Sequence, residues 1–312
     1  MADETWERSV IEQLATEGLR EQRRARRWRI FFRLLGFAVI IAALLVFAGA
    51  LSQAEVTCLD KCTAKVELIG ELDPDGPVSA ENVMTGLRAA FKNKGTQGVV
   101  LRINSPGGSP VQAGEINDEI RRLRAKYPGI PIYAVVEEIC ASGAYYAAVA
   151  ADRIYVDKAS LIGSIGVIID SFGFVGAMDK LGIERRALTA GENKDFLDPF
   201  APLTPQQRDY AQKMIDEIHQ QFIAAVKAGR GDRLKESPEL FSGLVWNGSR
   251  GVTLGLADGL GSVDSIARDV IKAEDVVDFT VKENIGERLA RRFGGTLGRS
   301  LGGILGRSMR WH

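Results

Sequence analysis

Ser142 closes the stretch Glu137-Glu138-Ile139-Cys140-Ala141 and opens a run of small residues and tyrosines, Gly143-Ala144-Tyr145-Tyr146. The apolar segment Ile130 to Val136 before it reads as a buried strand, and the residues after it suit a helix. A serine at that junction has two uses. Its hydroxyl can cap the helix, or it can be a nucleophile whose oxyanion develops where backbone N–H groups point outward. A nucleophile needs a base, and the chain has two histidines, His219 within a long helical pattern and His312 at the end. Neither lies on a strand-end loop, and His219 reads as a helix-face residue. No G-x-S-x-G elbow is present, since Cys140 stands two before Ser142 and Ile162 two before Ser164. The remaining base is lysine. Lowering a lysine from ~10.4 to about 7 costs ~4–5 kcal/mol and requires burial in an apolar site. Lys194 is a candidate, with Phe196, Leu197, Pro199 and Phe200 close behind it. Glu192 and Asp195 would oppose the shift if they faced it.

These residues need a scaffold. Ala64–Gly70 alternates as a first strand, and Ser79 caps a helix running to about Asn93, with Glu81 in its first turn. Gly98–Ile103 is a second strand, apolar enough to be buried on both faces. It ends in Asn104-Ser105-Pro106-Gly107-Gly108-Ser109. A glycine pair there either forms a plain turn or brings backbone N–H groups close to a ligand. It does not fit a phosphate-loop pattern. Gln112–Lys126 is an amphipathic helix, Arg153–Val156 a short strand, Phe172–Leu181 helical and Glu184–Leu188 a strand. Thr189–Pro199 is a loop holding Lys194. Pro205–Lys227 is a long helix with Thr204 as N-cap and Pro205 at its first position. Strands alternating with helices predict an α/β domain with mainly parallel strands.

The chain has 312 residues with formal net charge zero, which argues against nucleic-acid binding as a bulk property. That average conceals seven arginines between Arg20 and Arg33, followed by an uncharged apolar run of eighteen residues, Leu34 to Leu51. At ~1.5 Å per residue the run spans about 27 Å, close to a hydrocarbon core. Trp28, Phe31 and Phe32 flank it, so 30–51 is expected to be a signal-anchor helix contacting membrane lipid. The arginines place the 1–29 segment in the cytoplasm and the rest on the exported side. A cleaved signal peptide competes, with Ala48-Gly49-Ala50 and Ser52-Gln53-Ala54 as cleavage sites; the length of the run favours a retained anchor. In an oxidising compartment Cys58 and Cys62 could form a small loop. No metal site is expected from two such ligands, and Cys140 reads as a buried hydrophobe.

Four motifs now fall in one order: Ser105-Pro106-Gly107-Gly108-Ser109, Ala141-Ser142-Gly143-Ala144-Tyr145-Tyr146, Ile162-Gly163-Ser164-Ile165-Gly166-Val167 and Gly191-Glu192-Asn193-Lys194-Asp195. Together they resemble the signal peptide peptidase A family of membrane-anchored serine peptidases, family S49. The resemblance covers about residues 64 to 270. It implies Ser142 as nucleophile, Lys194 as general base and Ser164 as a hydrogen-bond partner of the lysine. It implies an oxyanion hole from N–H groups near Gly107, Gly108 and Gly143, and no cofactor. The implied fold is similar to Clp protease and crotonase, with repeated ββα units assembled into a homo-oligomeric ring. Serine and lysine can then come from different subunits. Glu137-Glu138-Ile139-Cys140 departs from the family's glycine- and methionine-rich run, a change that can alter the cleft, and Ala144 replaces a glycine.

The expected organisation is a cytoplasmic segment 1–29, an anchor 30–51, a linker 52–63, a peptidase domain 64–277 and a Gly/Arg/Leu-rich tail 278–312. In the tail Gly294, Gly298, Gly302 and Gly306 recur every four residues, suggesting a helix with a small-residue face that orders against a membrane or a second tail. The expected activity is endopeptidase cleavage of remnant signal peptides or membrane-proximal polypeptides at a bacterial inner membrane, facing the periplasm. A non-catalytic ring scaffold of the same fold is the alternative.

Overall fold

The computed structural model describes residues 24–44, 58, 60–235 and 237–281. Two units divide the chain, residues 56–282 forming one, with 1–55 and 283–312 assigned to the other. Of the second unit the described part is a helix, α1, over 24–44, exposed throughout. Trp28 stacks on Phe32 with ring centroids 5.6 Å apart. Among the described residues no helix is long and apolar enough to cross a membrane. Residues 45–51 of the apolar run, residues 1–23 and the glycine stripe of the tail lie outside the described residues.

In the 56–282 unit, β1 (Cys62–Ile69), α2 (Ala80–Lys92), β2 (Thr96–Ser105), α3 (Pro110–Lys126), β3 (Ile132–Ala141), α4 (Gly143–Ala148) and β4 (Arg153–Val156) alternate. β5 (Leu161–Gly163), α5 (Val175–Leu181), α6 (Pro205–Arg230), β6 (Val245–Asn247), α7 (Gly248–Thr253), β7 (Gly259–Leu260) and β8 (Val276–Asp278) follow. The sheet runs β6-β5-β3-β2-β1-β8, with β4 paired to β3 and β7. All pairings are parallel except β5 with β6. The sheet forks at β3: Tyr133 to Val135 pair with β4, and Ile139 to Ala141 pair with β5.

Period-two alternation sorts the faces. Ala64, Val66 and Leu68 of β1, Val99, Leu101 and Ile103 of β2, and Ile132, Ala134 and Val136 of β3 all belong to the main core. α2 presents Val83, Leu87, Ala90 and Phe91 to this core, and α3 presents Ala113, Ile116, Ile120 and Leu123. Val100 and Val135 are buried on the opposite face with Ile266, so β2 is covered on both sides as its composition demands. That face also carries an ion network. Arg102 bridges Glu67 and Glu137 at 2.6 Å each, and Lys65 meets Glu67 at 2.7 Å.

The helix ends obey the capping signals. Ser79 and Thr204 accept N–H bonds from Asn82 and Gln207, and Thr204 with Gln207 completes a reciprocal capping box. Cys58 and Cys62 are joined as a disulfide with Cα atoms 6.1 Å apart. Cys140 is buried and free, its thiol pushed up by desolvation.

Three expectations change. Residues 184–188 form no strand and are wholly exposed, and the segment Glu-Arg-Arg-Ala-Leu carries no β-branched or aromatic side chain. α5 starts at Val175 rather than Phe172, and β3 continues past Val136 through the two glutamates to Ala141.

Candidate active site

The C-terminal end of β3 delivers Ser142 between two neighbours. Its N–H donates to the Gly163 carbonyl of β5 at 2.9 Å, and its carbonyl accepts from Tyr146 N–H at 3.0 Å. These bonds hold it at φ 52, ψ −126, a conformation costing a residue with a Cβ about 1–3 kcal/mol. The side chain makes no capping hydrogen bond to α4. Capping therefore does not explain the serine, and its hydroxyl is left for chemistry. α4 can press this close because Gly143, Ala144, Ala147 and Ala148 are small and buried, while the Tyr145 hydroxyl donates to the Leu256 carbonyl at 2.9 Å.

Ser164 repeats the device, also at φ 52. Its N–H donates to Leu244 O at 2.8 Å, and its carbonyl accepts from Gly166 N–H at 3.0 Å. α6 braces this loop: a ring nitrogen of His219 lies 3.0 Å from the Ile165 carbonyl. The helix-face histidine thus has a structural task beside the site.

The glycine pair after β2 is more than a turn. Gly107 lies at φ 105, and a Cβ there would come within 2.8 Å of Ala141 O, Gly143 N and Ser142 Cβ. Only glycine lets this loop lie against the Ser142 segment. The Gly107 N–H donates to Ser105 Oγ at 3.2 Å, which removes it from the candidate oxyanion donors. The N–H groups of Gly108 and Gly143 have no acceptor among the described residues. Gly108, Ser142, Gly143 and Ser164 line one cavity of about 840 Å³, walled by α3 on one side and by Ile218 and Phe222 of α6 on another.

Lys194 stands apart. It is exposed, in a run of turns, and is not among the residues lining the cavity of its own chain. The burial that a neutral lysine requires is absent around it. Glu137, expected to alter the cleft, turns to Arg102 and lines a hollow on the sheet's other face. The sequence reading missed β6, whose approach through Leu244 holds Ser164. Three residues carry no periodicity, and the one signal was the Gly-Leu-Val-Trp run at 243–246.

A strained, uncapped serine beside two free backbone N–H groups and a large half-apolar cavity is the apparatus of acyl transfer. The comparisons agree with that class. The model of peptidase family S49 matches residues 124–277. A protein of Methanocaldococcus jannaschii named as a candidate protease is 32% identical over 200 residues, 62% of this chain and 63% of that one. Protease 4 of Haemophilus influenzae is 30% identical over 209 residues, 67% of this chain and 33% of its own length. A Na(+)/H(+) antiporter of Brucella melitensis is 44% identical over 182 residues, 58% of this chain. The match covers 25% of that antiporter, so the chain spans less than two thirds of each of these relatives. Over residues 124–277, which carry Ser142, Ser164 and Lys194, the chain is similar to peptidase family S49.

Proposed function

We propose that the chain is a membrane-anchored serine endopeptidase acting on remnant signal peptides or membrane-proximal polypeptides. The observation that carries this reading is Ser142, held at φ 52 with its hydroxyl unused, opening on the cavity that Ser164 also lines. Ser142 Oγ attacks the peptide carbonyl carbon and gives its proton to a neutral lysine amine. The oxyanion takes hydrogen bonds from Gly108 and Gly143 N–H, donors worth ~3–4 kcal/mol each. The lysine returns the proton to the leaving amine, and water, deprotonated by the same lysine, hydrolyses the acyl-enzyme. Ser164 orients the lysine.

The base is Lys194 of the partner subunit. The segment from Ile168 to Leu203 supports this. α5 buries no residue, Phe172 and Leu181 are more than 70% exposed, and Leu188 is fully exposed. Covering this segment with a second copy would desolvate the lysine it carries and lower its pKa. A ring follows from repeating that contact. The fork at β3 supports the finer assignment to the Clp protease and crotonase fold of repeated ββα units. The arginines and apolar residues of α1, with the uncharged apolar sequence that runs on to Leu51, support an anchor at 30–51, with the N-terminus cytoplasmic and the peptidase unit periplasmic at a bacterial inner membrane. A non-catalytic ring scaffold competes on one observation, the position of Lys194 outside its own chain's cavity.

A fluorophosphonate probe separates the two. The peptidase reading expects one covalent adduct, on Ser142, absent from Ser142→Ala. Labelling that persists in Ser142→Ala, or no labelling of the intact assembly, would sink it.

A further inference from the structure

The Ser142 cavity is half-apolar, with Val111, Tyr146, Ile168, Ile218 and Phe222 in its walls. Among the described residues it is lined by two charged side chains, Glu115 and Asp118, both acidic and both exposed to it. They stand three apart on α3, hence on one face of the helix. Neither carboxylate has an ion-pair partner among the described residues. The nearest cation on the helix, Arg121, donates through Nε to Asn117 Oδ1 at 2.8 Å and lines a different hollow with Arg124 and Tyr127. Asp118 faces the cavity wall closely enough that, after burial, its charge is the next cause raising the Tyr146 phenol, with Arg121 opposing. Two like charges on one wall, neither of them ion-paired and both beside apolar surface, favour a cation between them.

Position along α3 fixes where that cation sits on a substrate. α3 passes the Ser142 segment at Ala113, whose Cβ lies 3.3 Å from where a Gly143 Cβ would stand, and Glu115 and Asp118 follow two and five residues later. At ~1.5 Å per residue they lie about 3 and 7.5 Å further along the wall. An extended peptide advances ~3.4 Å per residue, so these distances correspond to roughly one and two residues from the bond at Ser142.

We infer that Glu115 and Asp118 select peptides carrying a lysine or arginine about one to two residues from the cleaved bond, an inference that rests on the serine-peptidase reading of this cavity. The test uses the full chain in detergent and fluorogenic peptides identical except for one position, Lys, Gln or Glu, scanned across both sides of the bond. The expected result is a kcat/KM preference for Lys over Glu of about two- to thirtyfold at those positions, the range for one or two exposed ion pairs. It shrinks in about 0.5 M NaCl, where such pairs are screened. In the double variant Glu115→Gln, Asp118→Asn the preference disappears. No charge preference in the parent, or one that survives in the double variant, overturns the inference while fluorophosphonate labelling of Ser142 continues. Absence of both cleavage and labelling instead removes the peptidase reading, and the inference falls with it.

Discussion

Ser142→Ala and Lys194→Ala each lose turnover of a peptide ester by about 10⁴-fold or more, and an equimolar co-assembled mixture of the two regains part of it. The reason is geometric. Each Ser142 opens on a cavity that its own Lys194 does not line. A Lys194→Ala copy retains the nucleophile and a Ser142→Ala copy retains the base. If the base crosses a head-to-tail contact, a site is competent whenever the first lies beside the second in the right order. Random assembly places about one quarter of sites in that state. Recovery near that fraction, rising with protein concentration as the ring forms, is the expected reading. A mixture that assembles yet remains at background would show that the base does not come from Lys194 of the partner subunit.

The second large effect concerns stability. Asp258→Ala is expected to destabilise the 56–282 unit by about 3–5 kcal/mol, because it leaves a guanidinium buried without its counter-charge. Arg230, at the last turn of α6, is 1% exposed. Its NH1 meets Asp258 Oδ2 at 2.8 Å, and its Nε donates to the Gly255 carbonyl at 2.8 Å. NH2 is buried with no partner, so the group is already under-satisfied. Arg230→Met should cost less, since Asp258 keeps Arg233 at 3.0 Å and the Ile154 N–H at 2.7 Å. Burial alone would raise the Asp258 carboxyl. Hydrogen bonds from Arg230 and Ile154, with the charges of Arg230 and Arg233, outweigh it and hold the group below its usual range. A depressed carboxylate contributes stability above its unfolded pKa of ~3.9 that is lost as pH falls through the folded value. Thermal midpoints across pH should therefore fall on the acid side in the parent, and Asp258→Asn should flatten that slope. A midpoint unchanged in Asp258→Ala would contradict the role given to this pair.

How far the chain could be read depends on the length of each element. β1, β2 and α2 announced themselves through alternation and caps, and Ser79 and Thr204 hold the helix starts that their positions suggested. Ser142, Ser164, Gly108 and Gly143 were legible as motifs, and the fold gathers all four into one cavity. What stayed hidden was long-range and short-stranded. β8 is three residues that pair with β1 from the far end of the unit, Thr63 against Val276. Nothing local marks such a strand. Residues 184–188 erred the other way, since Glu184, Arg185, Arg186, Ala187 and Leu188 include no β-branched or aromatic side chain to favour a strand. Strain was invisible too. No composition shows that Ser142 and Ser164 sit at φ 52, because the sheet fork and the approach of Leu244 impose it. The Gly107 N–H was a plausible oxyanion donor until Ser105 claimed it.

The most direct measurement is the distance from Ser142 Oγ to Lys194 Nζ in the assembled protein, read from an experimental structure of the full oligomer. The dyad reading predicts about 3 Å between Ser142 and Lys194 of the partner subunit, with the segment 168–203 covered at the contact. An assembly in which every Lys194 stays in solvent, with no amine within hydrogen-bond reach of Ser142, would contradict it.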